Sequence, residues 1–151
     1  MKNKYFDSIM KIERLHRLFL DVITKELDIM KIKDVSNIQC FMLYNIGTKT
    51  LTVGEIKNRG YYLGSNVTYN LKKMVEFGYI VQEASSHDRR SSHVKLSEKG
   101  LKLYLVFQQM LEKHSESLEA NGLNDDSLRS ISKNLQTLES FWSFLVMHNV
   151  H

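Results

Sequence analysis

Proline is absent from this 151-residue chain, and cysteine occurs once, at Cys40. Average usage of ~5% would have given about seven prolines, and nothing else in the composition marks a flexible linker between domains. A lone cysteine excludes an internal disulfide and a cysteine-based zinc cluster. It lies in the apolar helical run Ile38-Gln39-Cys40-Phe41-Met42-Leu43, so a small buried hydrophobe is the expected role rather than a redox sensor. No stretch of ~18 apolar residues is present to span a membrane. The basic start Met1-Lys2-Asn3-Lys4-Tyr5 leads into a charged amphipathic segment rather than the apolar core of a secretory signal, so the expected compartment is the cytoplasm.

Catalytic and cofactor signatures are missing too. There is no glycine-rich phosphate loop and no His-Glu-x-x-His pattern. His87, His93, His114, His148 and His151 are scattered, without ligand spacing on one helix, so no metal site and no cofactor is expected. His87 and Asp88 stand among serines, but a hairpin tip cannot pre-organise a nucleophilic triad, and no enzyme is expected.

What is present is a charge gradient. The net charge is +4. Residues 1–46 carry eight Lys/Arg and six Asp/Glu, and residues 47–75 carry five Lys/Arg against Glu55 alone. Residues 76–100 balance at four each, and residues 101–151 carry four against six. The positive surplus therefore falls on residues 47–75, as a phosphate-facing surface requires.

The hydrophobic pattern predicts a mainly α chain. Phe6, Ile9, Ile12, His16, Phe19, Ile23, Leu27 and Met30 recur at helical spacing over residues 5–30. A second helix is expected over Asn37–Ile46, with Ser36 as N-cap and Gly47 as its stop. A third follows Thr52 and ends before Gly60, with Glu55 three residues after Thr52 as a capping box. A fourth is expected from Ser65 to Phe77 and stops at Gly78. Its core face is Val67, Leu71 and Met74 with Val75 beside them, and Ser65, Tyr69, Lys72 and Glu76 lie opposite.

Tyr79–Gln82 and Ser92–Leu96 read as a hairpin whose long tip, Ser85-Ser86-His87-Asp88-Arg89-Arg90-Ser91-Ser92, projects as a wing. A fifth helix opens at Ser97-Glu98-Lys99-Gly100 and is apolar nearly all round, which predicts an enclosed helix. After the break at residues 121–126 a last helix runs to Met147, with the stripe Leu128, Ile131, Leu135, Leu138, Trp142 and Leu145. The fold class expected is α+β, mainly helical with a small β-hairpin wing. Residues 36–100 form a winged helix-turn-helix, and residues 1–35 and 101–151 form a helical dimerisation region. Apolar stripes at both chain ends predict a homodimer, which would set two recognition helices about 34 Å apart, one turn of DNA.

A polar helix for the major groove beside an arginine-tipped hairpin for the minor groove is a way to read duplex DNA. Lys72 and Lys73 can neutralise phosphates. Asn66, Thr68, Tyr69 and Asn70 reach base edges or backbone, with Asn70 nearest the core edge of the wheel. Ser65 at the helix start suits a phosphate.

The segment Leu51–Gly100 resembles the multiple-antibiotic-resistance regulator (MarR) family of dimeric bacterial winged-helix transcription factors. Leu51-Thr52-Val53-Gly54-Glu55-Ile56 is similar to the family's opening L-T-x-x-E-L. Asn66–Ile80 is similar to its recognition helix and exit. Asp88-Arg89-Arg90-Ser91-Ser92-His93-Val94-Lys95-Leu96-Ser97-Glu98-Lys99-Gly100 is similar to its wing signature D-x-R-x-x-x-V-x-L-T-x-x-G. The run Arg59–Leu71 resembles a narrower branch that includes LdtR, a regulator of L,D-transpeptidase genes, and PetP. The resemblance implies that Arg90 enters the minor groove, that Asp88 steadies it, and that Arg89 between them is variable and able to grip phosphate.

It also implies ligand-modulated binding to a palindromic operator. In relatives a small aromatic or phenolic effector fits between the dimer helices and the winged domain. His16, Phe19, Met42, Leu43 and Tyr62 could line such a pocket, or could simply be core. Family thiol sensors carry their cysteine in the first helix, and residues 1–35 have none. A non-responsive architectural DNA binder and a metal- or redox-responsive regulator remain alternatives.

Overall fold

A computed structural model describes residues 3–60, 64–84 and 92–148. In chain order its elements are α1 (Lys4–Ile29), α2 (Asn37–Ile46), β1 (Leu51–Thr52), α3 (Val53–Gly60), α4 (Gly64–Glu76), β2 (Ile80–Ala84), β3 (Ser92–Leu96), α5 (Glu98–Ala120) and α6 (Asp125–His148). The sheet is antiparallel in the order β1-β3-β2. This is the mainly helical winged helix-turn-helix that the periodicity predicts.

Local chemistry sets most boundaries. Asn3 opens α1 by accepting from the Tyr5 and Phe6 N–H groups at 3.0 and 3.2 Å. Ser36 caps α2 in a reciprocal box: its hydroxyl accepts from Gln39 N at 3.1 Å, and Gln39 Oε1 accepts from Ser36 N at 3.0 Å. The expected Thr52/Glu55 box closes the start of α3, with Glu55 N donating to Thr52 Oγ1 at 3.1 Å. α4 ends in a Schellman turn, in which Tyr79 N donates to Met74 O at 2.9 Å and Gly78 N to Val75 O at 3.0 Å. That turn needs a left-handed residue, and Gly78 supplies φ +84° at no steric cost. α1 ends the same way, but there the left-handed position is held by Lys31, at φ +59°.

Three expectations are corrected. The hairpin reading had two strands, whereas β1 adds a third, with Leu51 opposite Val94 and Thr52 opposite His93. A strand of two residues is too short to leave a periodic signature, and Thr52 is legible only as a helix cap. β2 starts one residue late, because the backbone of Tyr79 is engaged by the helix stop and by Ser97 N, which donates to Tyr79 O at 2.9 Å. It then runs on to Ala84, which pairs with Ser92. α5 is not enclosed. Leu103 and Phe107 are buried, but Leu105 and Val106 stay exposed, because one chain covers only one side of that helix.

The chain divides into two compact units, residues 1–106 and 107–151. The core of the first is built from α2, α4 and the sheet. Met42, Leu43, Ile46, Val67, Met74, Val94 and Cys40 are its most completely buried side chains. Cys40 behaves as the small hydrophobe expected, and burial pushes its thiol pKa up to about 12. In α1 only Ile23 and Leu27 are buried, whereas Phe6, Met10, Leu15 and Leu18 are exposed. In the second unit Asn124 caps α6 by accepting from Ser127 N at 2.9 Å. α6 has no buried residue, and Ile131, Leu135, Phe141 and Phe144 are exposed. Among the described residues no helix is long and apolar enough to cross a membrane.

Candidate nucleic-acid interface

α4 is anchored on one side and open on the other. Val67, Leu71 and Met74 are buried. At ~100° per residue they fall within about 60° of one another, which is the core stripe. Val75 lies about 70° from the middle of that stripe, at its margin, and is exposed although it was expected beside the core. Asn66, Thr68, Tyr69 and Lys72 are exposed, and Lys73 is half-buried. Ser65 lies in the first turn of the helix.

The outer face is pre-shaped by its own contacts. Lys73 Nζ lies 5.8 Å from the centre of the Tyr69 ring and 3.5 Å from Glu76 Oε2. The ammonium is thereby held against an aromatic face instead of sweeping freely. Lys57 and Arg59 stand in the last turn of α3. Together with Lys72 and Lys73 they carry most of the positive surplus of residues 47–75. The hairpin flanks α4 in sequence, and its base is braced across the strands. Gln82 Nε2 donates to Ser92 Oγ at 2.9 Å, and Lys95 Nζ lies 3.4 Å from Glu83 Oε1. Asp88, Arg89 and Arg90, expected at the wing tip, lie outside the described residues, as does His87.

Asn70 sits apart from the other candidates. It is half-buried, and its Oδ1 accepts from Gln39 Nε2 of α2 at 3.1 Å. A second cluster, which no local spacing announces, surrounds the exit of α4. The Tyr79 hydroxyl donates to Asp34 Oδ1 at 2.8 Å, and Lys99 Nζ donates to Asp34 Oδ2 at 3.3 Å. Lys99 also donates to the Phe77 carbonyl at 2.9 Å and sits 4.2 Å over the Tyr79 ring. Burial pulls the Asp34 carboxyl up, but the hydrogen bonds from Tyr79 and Lys99 and the charge of Lys99 outweigh it and hold the group below its usual value. Burial first, and then the Asp34 carboxylate, push the Tyr79 hydroxyl above its usual range. The one signal available beforehand was the Ser36-x-x-Gln39 spacing of a capping box. Nothing local pairs Gln39 with Asn70, or Asp34 with Tyr79.

Of the five candidate pocket residues, Met42 and Leu43 are completely buried in the core, so they line no open space here. His16 and Phe19 both meet Phe41 in T-shaped ring contacts, at centroid distances of 6.3 and 6.2 Å. Tyr62 lies outside the described residues. A surface cleft of about 510 Å3 opens elsewhere, where α1 meets α2, lined by residues that include Leu27, Ile32, Val35 and Asn37. None of the four described candidates lines it. Among the described residues no group of three or more His, Cys, Asp or Glu side chains could hold a metal ion.

Comparison with known proteins agrees with this geometry. The model of the MarR family matches residues 33–91, from the α1–α2 connection to the end of the wing tip. The exopolysaccharide II synthesis transcriptional activator ExpG of Rhizobium meliloti (strain 1021) is 33% identical over 138 residues, covering 91% of this chain and 71% of that protein. The fold recurs in NMB1585, a MarR family regulator from Neisseria meningitidis, with a TM-score of 0.78 at 18% identity over 99% of this chain and 100% of that one. It recurs also in FabT of Streptococcus pneumoniae, whose crystal structure is a complex with DNA, with a TM-score of 0.68 at 22% identity over 91% of this chain and 99% of that one. The winged helix, the open polar face of α4 and the likeness to ExpG lead to one conclusion: this chain belongs to the MarR family of DNA-binding transcriptional regulators, which are not enzymes.

Proposed function

We propose that this chain is a cytoplasmic homodimeric regulator that reads a palindromic operator and releases or remodels it on binding a small aromatic or phenolic effector. The observation that carries the reading is the division of α4. Val67, Leu71 and Met74 lock one face into the core, and Asn66, Thr68, Tyr69 and Lys72 stand exposed on the rest. A helix held this firmly can enter a major groove without ordering itself first. Lys72 and Lys73 would neutralise phosphates, Ser65 and the helix start would hold one more, and Asn66, Thr68 and Tyr69 would meet base edges. Arg90, steadied by Asp88, would enter the minor groove, with Arg89 on the backbone.

Dimerisation is supported by the apolar side chains left bare on each unit taken by itself. Phe6, Met10, Leu15 and Leu18 are exposed on α1, and Phe141, Phe144, Val146 and Met147 on α6. Exposure on that scale marks a surface that another chain covers. Residues 1–35 and 101–151 would supply it, and residues 36–100 would read DNA. The aromatic group of His16, Phe19 and Phe41 supports an effector site next to α1 and α2, to which Tyr62 would be a further contributor, whereas Met42 and Leu43 serve the core. Effector binding would then shift the separation of the two recognition helices. The run Arg59–Leu71 supports placement in the LdtR/PetP-like branch.

The test is selection of duplexes from a random-sequence library by the purified protein. A palindrome with half-sites one helical turn apart is the expected product. Enrichment of no sequence would make the chain an architectural binder instead.

A further inference from the structure

Two residues of the α1–α2 connection and α2 grip the recognition helix at two different points. Gln39 bonds its middle through Asn70. Asp34 holds its exit through Tyr79 and through Lys99, which in turn caps the Phe77 carbonyl. We propose that Gln39 and Asp34 are positioning residues for sequence readout, fixing the roll and tilt of α4 so that its outer side chains meet base edges in register. The proposal rests on the reading of α4 as the groove element.

The physical argument concerns what apolar packing leaves loose. Val67, Leu71 and Met74 hold α4 at a set distance from the core, but hydrophobic contact is non-directional. A helix with side chains has a radius of about 5–6 Å, so a 10° roll moves a side-chain tip by roughly 1 Å. Recognition tolerates about 0.5 Å. A hydrogen bond is directional and resists that roll.

The Gln39 amide is fixed at both ends. Its oxygen accepts from Ser36 N at 3.0 Å in the α2 cap, and its nitrogen donates to Asn70 Oδ1 at 3.1 Å. The amide is planar, so the cap of α2 and the middle turn of α4 share one rigid group. At the exit, Lys99 satisfies a carbonyl that the end of α4 leaves without a helical partner, and Asp34 holds Lys99 and Tyr79 together. Asn70 therefore serves the helix from its inner edge, while Asn66, Thr68, Tyr69 and Lys72 serve it from outside.

The experiment compares, at one salt concentration, binding to a duplex enriched by the wild-type chain from a random library with binding to the unselected library. Gln39→Ala and Asn70→Ala are each expected to narrow the selected-to-unselected ratio about three- to tenfold, with the salt slope unchanged. The double variant is expected to lose no more than either single one, because both remove the same bond. Tyr79→Phe, which keeps the ring and deletes only the hydroxyl, is expected to narrow the ratio as well. Gln39→Glu keeps the acceptor for Ser36 N and lets Asn70 turn its amide to donate, so it should restore the ratio.

A ratio unchanged in Gln39→Ala and Tyr79→Phe overturns the proposal. So does an additive loss in the double variant, which would put Asn70 on the DNA itself. If alanine at position 39 prevents folding, Tyr79→Phe decides alone, and an unchanged ratio there overturns the proposal. A wild-type chain that enriches no duplex overturns the groove reading itself, an outcome distinct from normal enrichment with indifferent variants.

Discussion

Gly100 in the first turn of α5 lies directly against the Tyr79 carbonyl just before β2, so close that an added Cβ would fall onto that oxygen. The same junction carries the Ser97 N to Tyr79 O bond and the Ser97 hydroxyl, which accepts from Gly100 N at 3.1 Å and donates to the Gly78 carbonyl. The glycine that closes the wing signature is thus explained by space. The backbone leaving the recognition helix and the helix following the wing touch there. Gly100→Ala should destabilise the fold by about 1–3 kcal/mol, because the obstacle is backbone rather than a side chain that can turn away. Urea unfolding checks it, and a midpoint equal to wild type would contradict this close approach.

Lys31 is the converse case. It holds a left-handed backbone, at φ +59°, in a turn that glycine normally makes. Lys31→Gly should raise stability by about 0.5–1 kcal/mol after the entropy of glycine is set against the relieved strain. A variant less stable than wild type in the same titration would mean that the lysine side chain contributes something its position does not suggest.

The Asp34 cluster predicts a pH dependence. The folded carboxyl titrates below its unfolded value of 3.8, so the unfolded chain takes up the proton first as pH falls. The stabilisation is present above that value and is lost as pH drops through the folded one. Asp34→Asn cannot titrate and should show a shallower loss of stability below about pH 4. Superimposable acid limbs for the two proteins would show that the carboxylate gains nothing from Tyr79 and Lys99.

On the DNA side two substitutions separate phosphate contact from groove reading. Lys72→Ala should weaken binding alike on every duplex and reduce the salt slope by about 1. Arg90→Ala should weaken binding to the selected duplex by about 1–3 kcal/mol. A Lys72 effect confined to one base position, or an Arg90 variant with full affinity, would reverse the respective assignment.

Much of this protein was legible along the chain. Ser36, the Thr52/Glu55 pair and Gly78 mark helix ends through bonds that reach only a few residues, so their effect can be read from spacing alone. Val67, Leu71 and Met74 fall on one stripe for the same reason, because helical periodicity is a local property. The motif around Gly100 placed the chain in its family, although the reason for the glycine appears only when β2 and α5 meet.

Tertiary structure decided the rest. β1 exists because β3 offers Val94 and His93 to Leu51 and Thr52, a pairing that two residues cannot announce. Val75 and Asn70 both sit at the margin of the α4 stripe, and only the neighbouring elements determine that one is bare and the other bonded to Gln39. Asp34 meets Tyr79 across 45 positions of chain. Local sequence specifies which face a helix turns inward, because that depends on spacing within it. What that face meets depends on other segments folding against it, and no spacing within the helix encodes that.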